Sequence, residues 1–135
     1  MTLDIQNLAY AVTQAIHNFG AVAVVGGSAV ALAWRESNDL TKLSRMVLAG
    51  WIVQVLSGAT FGAISYYYYT KFPDLMGIAV VALLVKVSCA ALGISLAAGQ
   101  LKGHFSDAMF RYSWLAMCIL GVLALTSAAV LRWFS

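Results

Sequence analysis

His17 and Lys86 are the residues whose type and position best suit chemistry, because each lies inside a long apolar run. Gln14, His17 and Asn18 recur at i, i+3 and i+4, which predicts that the three polar side chains share one face of a helix. At membrane depth such side chains must face protein or water rather than lipid. His17 could ligate haem b or copper, or hydrogen-bond a quinone carbonyl. The alternative is an interhelical hydrogen bond that only stabilises the fold.

Lys86 stands out because a lysine near the middle of a membrane span costs about 2.5 to 3.5 kcal/mol on insertion scales. Counted along ideal helices from one side of the membrane, Lys86, Gln54 and His17 have similar depths. We therefore predict that these three form one polar layer, which would bind an anionic or carbonyl-bearing ligand or transfer protons. The alternative is that Lys86 meets a carboxylate of a partner subunit, since no predicted span contains an acidic residue.

Two cysteines, Cys89 and Cys118, are predicted at similar depth on neighbouring antiparallel spans. Together with Met117 they would offer the soft sulfur ligands that select Cu(I). The alternative is that both cysteines are small apolar packing residues, as is common in protein interiors. A haem with two histidine ligands would need a second chain, because His104 is predicted roughly 20 Å or more from His17, at the opposite side of the membrane.

The composition indicates which elements position these residues. Hydrophobic residues make up 62% of the 135-residue chain and charged residues 10%, whereas soluble domains carry about 25% charge. Apolar runs near or above the roughly 20 residues needed to cross the hydrocarbon separate short polar patches. The one proline, Pro73, lies between two runs, so the helices should be continuous. We predict an all-α polytopic membrane protein of four transmembrane helices.

The predicted spans cover residues 8–34, 46–69, 75–99 and 108–131 and form one domain. The first run is longer than a signal peptide and lacks a basic start, so we interpret it as a retained helix. Because the connections are short, spans adjacent in sequence should pack as an up-down antiparallel bundle. All four tryptophans are predicted to be interfacial anchors, since each falls within a few turns of a span end: Trp34, Trp51, Trp114 and Trp133.

Lysine and arginine in the short loops predict the orientation, because positive charge is translocated poorly. Five of these residues belong to the first and third connections and their flanks: Arg35, Lys42, Arg45, Lys102 and Arg111. The other side has Lys71 and Arg132. We therefore predict an N-out/C-out protein with the 66–74 turn facing outward. As its location we expect a bacterial inner membrane.

Small residues at intervals of four predict where helices approach closely, because lipid tails give little hydrophobic reason for helices to associate. The stripes are Ala23, Gly27 and Ala31 in the first span, Gly50, Gln54, Gly58 and Gly62 in the second, and Ala91, Ser95 and Gly99 in the third. They predict packing within the chain, and any surplus stripe predicts contact with another copy or a partner subunit.

Residues 16–21, IHNFGA, followed by the Gly26-Gly27 pair, resemble the opening helix of the copper-resistance D-like family and related four-helix bacterial membrane proteins. In that family a histidine early in the first helix precedes a small residue and a Gly-Gly pair. The resemblance covers about 12 residues of the first helix. It implies that His17 handles copper or haem, although the chain has no second histidine within a span.

These patterns lead to three hypotheses about function. The first is a small subunit of a respiratory or other redox membrane complex, which packs against larger subunits and contributes to a quinone, haem or copper site through His17. The second is a small homo-oligomeric transporter or channel lined by the polar layer, and the third is a purely structural membrane subunit. Phosphate-binding glycine loops, G-x-S-x-G and H-E-x-x-H are absent, so we expect no enzyme on its own. The net charge of +3 comes from residues that flank the spans, so we expect no nucleic-acid partner.

Overall fold

The computed structural model describes residues 4–34, 37–71 and 76–134. They form four α-helices, α1 (Ile5–Ala33), α2 (Ser37–Tyr69), α3 (Ile78–Leu101) and α4 (Asp107–Phe134). Each helix is long and apolar enough to cross a membrane. The predicted all-α fold with four spans is therefore confirmed.

The helices form a bundle in which each helix packs against two neighbours. α1 packs against α2 and α4, and α3 packs against the same two helices. The diagonal pairs, α1 with α3 and α2 with α4, have no Cα atoms within 8 Å of each other in the described residues. A contact between diagonal helices therefore needs a long side chain that crosses the bundle interior.

We call the two ends of the bundle the terminal end and the basic end. The terminal end contains the start of α1, the end of α2 and the start of α3, and the basic end contains the connections that follow Ala33 and Leu101. Arg35 and Pro73 lie outside the described residues, as do residues 72–75, which belong to the predicted 66–74 turn and the start of the predicted 75–99 span. The N-out/C-out orientation and the bacterial inner membrane stay predictions.

α2 begins at Ser37 rather than at the predicted Met46. Its first turn contains Asp39, and a carboxylate there stabilises a helix N-terminus. Asp39 also pairs with Lys42 at 3.2 Å on the surface. At about 1.5 Å per residue the 33-residue helix is about 50 Å long, so its start projects beyond a hydrocarbon core of about 30 Å.

α3 ends in a turn that favours glycine. Gly103 has a φ of 68°, and its N–H donates to the Gln100 carbonyl at 3.1 Å, while the His104 N–H donates to the Gly99 carbonyl at 3.1 Å. This pair of bonds is the Schellman motif, whose left-handed position usually holds glycine. Phe105 packs against Gly99, where a Cβ would lie 2.9 Å from Phe105 Cζ. The chain thus reverses tightly into α4.

Two of the four tryptophans fill the core. Trp51 is 1% exposed and Trp114 is 2% exposed, so the prediction that they anchor at the membrane interface is wrong. Both helices are rotated so that these rings point into the bundle. Trp34 and Trp133 are 57% and 84% exposed near helix ends, as interfacial anchors are.

Glycines on α1 and α2 allow these helices to approach closely, as the stripes predicted. A Cβ on Gly27 would lie 2.7 Å from Met46 Cε, and a Cβ on Gly50 would lie 3.0 Å from Ala23 Cβ. A larger residue at either glycine would push the helices apart.

The small residues predicted on α3 do not pack as expected. Ala91 and Ser95 are exposed, so this part of the stripe does not face the bundle interior. α3 instead turns Gly93 inward, where a Cβ would lie 2.2 Å from Trp51 Cε2. Gly58 of α2 is also exposed, and a Cβ there would meet no atom within 4 Å. The spacing of small residues alone therefore does not show which side of a helix faces the bundle interior.

Candidate functional site: a polar cluster inside the bundle

Three helices bring four polar side chains together in the terminal half of the bundle. His17 Nδ1 of α1 lies 2.6 Å from Ser57 Oγ of α2. Gln54, one turn before Ser57, donates through Nε2 to the His17 backbone carbonyl. Lys86 of α3 crosses the interior, and its Nζ lies 3.0 Å from His17 Nε2. We call these four residues the polar cluster.

The polar cluster lies well inside the apolar part of the spans. Ser57 lies nine residues before Tyr66, the first tyrosine of the run that ends α2, so it is about 14 Å below that level. Lys86 lies eight residues after Ile78, or about 12 Å from the start of α3. These depths are close to half of a hydrocarbon core of about 30 Å. The structure thus brings the predicted layer of His17, Gln54 and Lys86 together.

The chemistry of the four groups gives the direction of each hydrogen bond. A lysine ammonium has three donors and no acceptor, so Lys86 donates to His17 Nε2. His17 is then neutral with its proton on Nδ1, which donates to Ser57 Oγ, and the Ser57 hydroxyl donates to the Val53 carbonyl. In the described part of the chain the other two N–H groups of Lys86 make no hydrogen bond.

Aromatic rings cover the imidazole on the side of the terminal end. Phe61 makes an edge-to-face contact with His17, with ring centroids 5.8 Å apart, and Tyr10 stacks on Phe61 at 6.2 Å. His17 is 7% exposed, whereas Lys86 is half-buried. Lys86 points towards α1 across the interior. The alternative in which it meets a carboxylate of a partner subunit stays a prediction.

Gln14 and Asn18 lie apart from the polar cluster. Gln14 Nε2 donates to Asn18 Oδ1 at 2.8 Å, and Asn18 is exposed while Gln14 is half-buried. Consecutive residues of a helix point about 100° apart, and the inward face of α1 ends between His17 and Asn18. The three residues share one broad side of α1, but only His17 lies on the part of it that faces the bundle interior. A role of Gln14 or Asn18 in ligand binding stays a prediction.

The candidate sulfur ligands differ in their surroundings. Cys89 is 4% exposed and Met117 is 0% exposed, and both belong to the core, whereas Cys118 is half-buried. Both cysteines are free thiols. In residues 4–34, 37–71 and 76–134 no group of three or more His, Cys, Asp and Glu side chains is placed to hold a metal ion. Both ring nitrogens of His17 already have partners, so metal ligation would displace one of them. The copper and haem sites stay predictions.

A second polar network, which the sequence analysis missed, closes the basic end. Gln100 Oε1 accepts from Ser44 Oγ at 2.8 Å, and Gln100 Nε2 donates to Ser113 Oγ at 2.6 Å. All three side chains are buried. The network connects α2, α3 and α4 and uses both ends of the Gln100 amide. We interpret it as a structural clamp rather than a ligand site.

Open space near the polar cluster is limited inside the bundle and larger outside it. An interior cavity beside Trp51 and Gln54 measures about 10 Å³, about the space of one water. An open groove of about 190 Å³ lies between α3 and α4 at the terminal end and is lined by residues that include Ala82 and Ser127. Ala82 precedes Lys86 by one turn.

In comparisons with known proteins no family model matches this sequence, and neither a curated protein nor a solved structure shows significant similarity to the chain. The resemblance of the first helix to the copper-resistance D-like family therefore stays a prediction.

Proposed function

We propose that the chain is a small membrane subunit of a respiratory or other redox complex, in which Lys86, held in place by His17, binds a carbonyl oxygen of a quinone head group. The observation that carries the proposal is the contact of 3.0 Å between Lys86 Nζ and His17 Nε2 at mid-membrane depth. No carboxylate lies in the apolar part of any described helix. The hydrogen-bond donors of Lys86 that do not face His17 are therefore not occupied by a carboxylate and are available to an incoming acceptor.

The position of the site restricts its ligand to molecules that dissolve in lipid and accept hydrogen bonds. A quinone meets both conditions, because it has two carbonyl oxygens on an apolar ring and an apolar tail. Lys86 would donate to one carbonyl, while His17 fixes the ammonium and Ser57 fixes the imidazole. When two electrons from a redox centre of a partner subunit reduce the ring, each oxygen takes up one proton. Lys86 would supply one of these protons and become a neutral amine, and the second proton would come from water.

The groove between α3 and α4 supports entry of the ligand from the lipid. It lies at the terminal end, and its lining is mostly apolar, with Ile78, Val81 and Val130 among the lining residues. The hydroxyls of Thr126 and Ser127 already donate to carbonyls of their own helix, so they need no other partner. An apolar tail could rest there one helical turn from Lys86.

The packing of the interior does not favour a transport path through one bundle. Trp51, Trp114 and Met117 are each at most 2% exposed and fill the half of the bundle nearer the basic end. A channel or transporter would therefore need a path between several copies. We place this hypothesis second.

Purification of the complex from native membranes, followed by mass spectrometry and quinone extraction, tests the proposal. We expect redox-active partner subunits and about one quinone per chain for the wild type. Lys86→Met should weaken quinone binding by about 10- to 100-fold, the loss expected for a hydrogen bond to a charged group. Lys42→Met is the matched control, because Lys42 is an exposed lysine outside the polar cluster, and it should retain the quinone.

Three outcomes would contradict the proposal. Equal quinone content in the wild type and Lys86→Met would remove Lys86 from the site. A Soret band or stoichiometric copper that is lost in His17→Ala would support the metal hypothesis instead. A homo-oligomer without quinone that conducts ions in liposomes would support the transporter.

A further inference from the structure

α1 presents a pair of amide side chains outward at membrane depth. His17 is level with Ser57, as their contact of 2.6 Å shows. Asn18 then lies about 15 Å, and Gln14 about 9 Å, from the level of Tyr66. Asn18 is exposed and Gln14 is half-buried. The pair therefore faces the hydrocarbon unless another protein covers it.

This amide pair is only partly satisfied. Gln14 Nε2 donates to Asn18 Oδ1 at 2.8 Å. In the part of the chain that the structure describes, Gln14 Oε1 and Asn18 Nδ2 make no hydrogen bond. The hydrocarbon has no groups to satisfy them, so a free acceptor and a free donor at this depth favour contact with another helix.

The same side of α1 has room for a second helix. Val22 is 68% exposed, and Gly26 and Ala29 are exposed as well. A Cβ on Gly26 would meet no atom within 4 Å, in contrast to its neighbour Gly27, which packs inside the bundle. At about 100° per residue, Asn18, Val22, Gly26 and Ala29 fall within about 80° of the helix circumference. Small residues on such a face let two helix backbones approach closely.

We propose that this face of α1 is the interface between two copies of the chain. A two-fold axis along the membrane normal would place the two α1 helices side by side and parallel, with equal residues at equal depth. Asn18 Nδ2 of one protomer then donates to Gln14 Oε1 of its partner, and symmetry forms the second bond.

A second copy fits this face better than a partner with a charged side chain. Each copy offers one free donor on Asn18 and one free acceptor on Gln14, about 6 Å apart along the helix. The two side chains already bridge this gap within one chain, so two copies can satisfy both groups reciprocally. A carboxylate or an ammonium on the partner would satisfy only one of them and would bring an extra charge into the hydrocarbon. The proposal does not depend on the quinone site, which uses the inward face of α1.

The association of labelled protein in liposomes tests the interface. Single-molecule photobleaching at increasing protein-to-lipid ratios gives the dimer fraction of the wild type, of Gln14→Leu/Asn18→Leu and of the control Thr60→Val. Thr60 is exposed on α2 at about the depth of Gln14, and its hydroxyl already donates to the Leu56 carbonyl at 2.9 Å. Two reciprocal amide hydrogen bonds predict dimerisation that is roughly 5- to 50-fold weaker in the double variant and unchanged in the control.

Cross-linking in native membranes gives a second readout that does not depend on the amide substitutions. Val22→Cys, in a chain that also carries Cys89→Ala and Cys118→Ala, should oxidise to a disulfide-linked dimer. Val122→Cys is the control, because Val122 lies on α4 and is 47% exposed. Equal dimer fractions for the wild type and the double variant would overturn the proposal. A Val22→Cys disulfide with a different protein, or equal cross-linking of both cysteine variants, would also overturn it.

Discussion

Gly93→Ala should destabilise the bundle through a steric clash with Trp51. A Cβ on Gly93 would lie 2.2 Å from Trp51 Cε2 and 2.6 Å from Cζ2, whereas carbon atoms pack at about 3.5 to 4.0 Å. The indole would therefore have to move by about 1 Å or more. Trp51 is 1% exposed, and the adjoining cavity measures only about 10 Å³, so the ring has little space to move into.

Two opposing effects set the size of the change in Gly93→Ala. Overpacking a core costs about 1 to 3 kcal/mol, while alanine is favoured over glycine inside a helix by about 0.5 to 1 kcal/mol. The net loss should be between about 0 and 2.5 kcal/mol. Gly58→Ala has only the favourable effect, because a Cβ there meets no atom within 4 Å. The two variants should therefore shift the free energy of unfolding in opposite directions.

Reversible unfolding in mixed micelles measures this difference. The smaller side chain of Trp51→Leu should leave room for the Cβ of Gly93→Ala. The double variant should therefore lose less free energy of unfolding than the sum of the two single losses. The reasoning is refuted if Gly93→Ala is as stable as Gly58→Ala, or if Trp51→Leu and Gly93→Ala have additive effects.

The polar side chains give three further predictions in the same unfolding assay. Gln100→Leu removes two buried interhelical hydrogen bonds, although both serine hydroxyls keep a bond to a carbonyl of their own helix. At about 0.5 to 1.5 kcal/mol for each bond it should lower the free energy of unfolding by about 1 to 3 kcal/mol, whereas Gln6→Leu, at an exposed hydrogen bond, should have little effect. Equal losses would contradict the clamp. Ser57→Ala should cost about 1 kcal/mol and change the ¹⁵N chemical shift of His17 Nδ1, and an unchanged shift would contradict the hydrogen bond. Lys86→Met should raise the free energy of unfolding by about 1 kcal/mol, because the charge costs about 2.5 to 3.5 kcal/mol in the membrane and its hydrogen bond to His17 restores only part of this. A less stable variant would indicate that Lys86 is a structural residue.

Helix number and depth were predictable because they depend on length and composition. Apolar runs of sufficient length predict the four spans, and a fixed rise per residue predicts which residues are level on antiparallel helices. This reasoning predicts that His17, Gln54 and Lys86 share one layer, and the structure brings the three side chains together. Ser57 was missed because serine is common in helices, although its spacing of three residues from Gln54 was an available signal.

Helix rotation was not predictable from these patterns. Gln14, His17 and Asn18 lie on one broad side of α1, but the edge of the bundle interior falls between His17 and Asn18. Likewise, the position of Trp51 near a span end suits an anchor as well as a core residue, and only packing against Gly93 decides between them. Uniformly apolar helices have little polar pattern to fix their rotation, so the choice depends on shape complementarity.

The contact between Lys86 and His17 across the bundle means that the two halves of the bundle are held together by different kinds of groups. Near the basic end, rigid indole rings and the Gln100 amide hold the helices at fixed separations, whereas in the other half one flexible four-carbon stem connects α1 to α3. Withdrawal of the ammonium to a different acceptor would cut that connection without disturbing the tryptophans. We therefore expect the helices to move more at the terminal end than at the basic end. Distances between spin labels on α1 and α3 should broaden first at the terminal end.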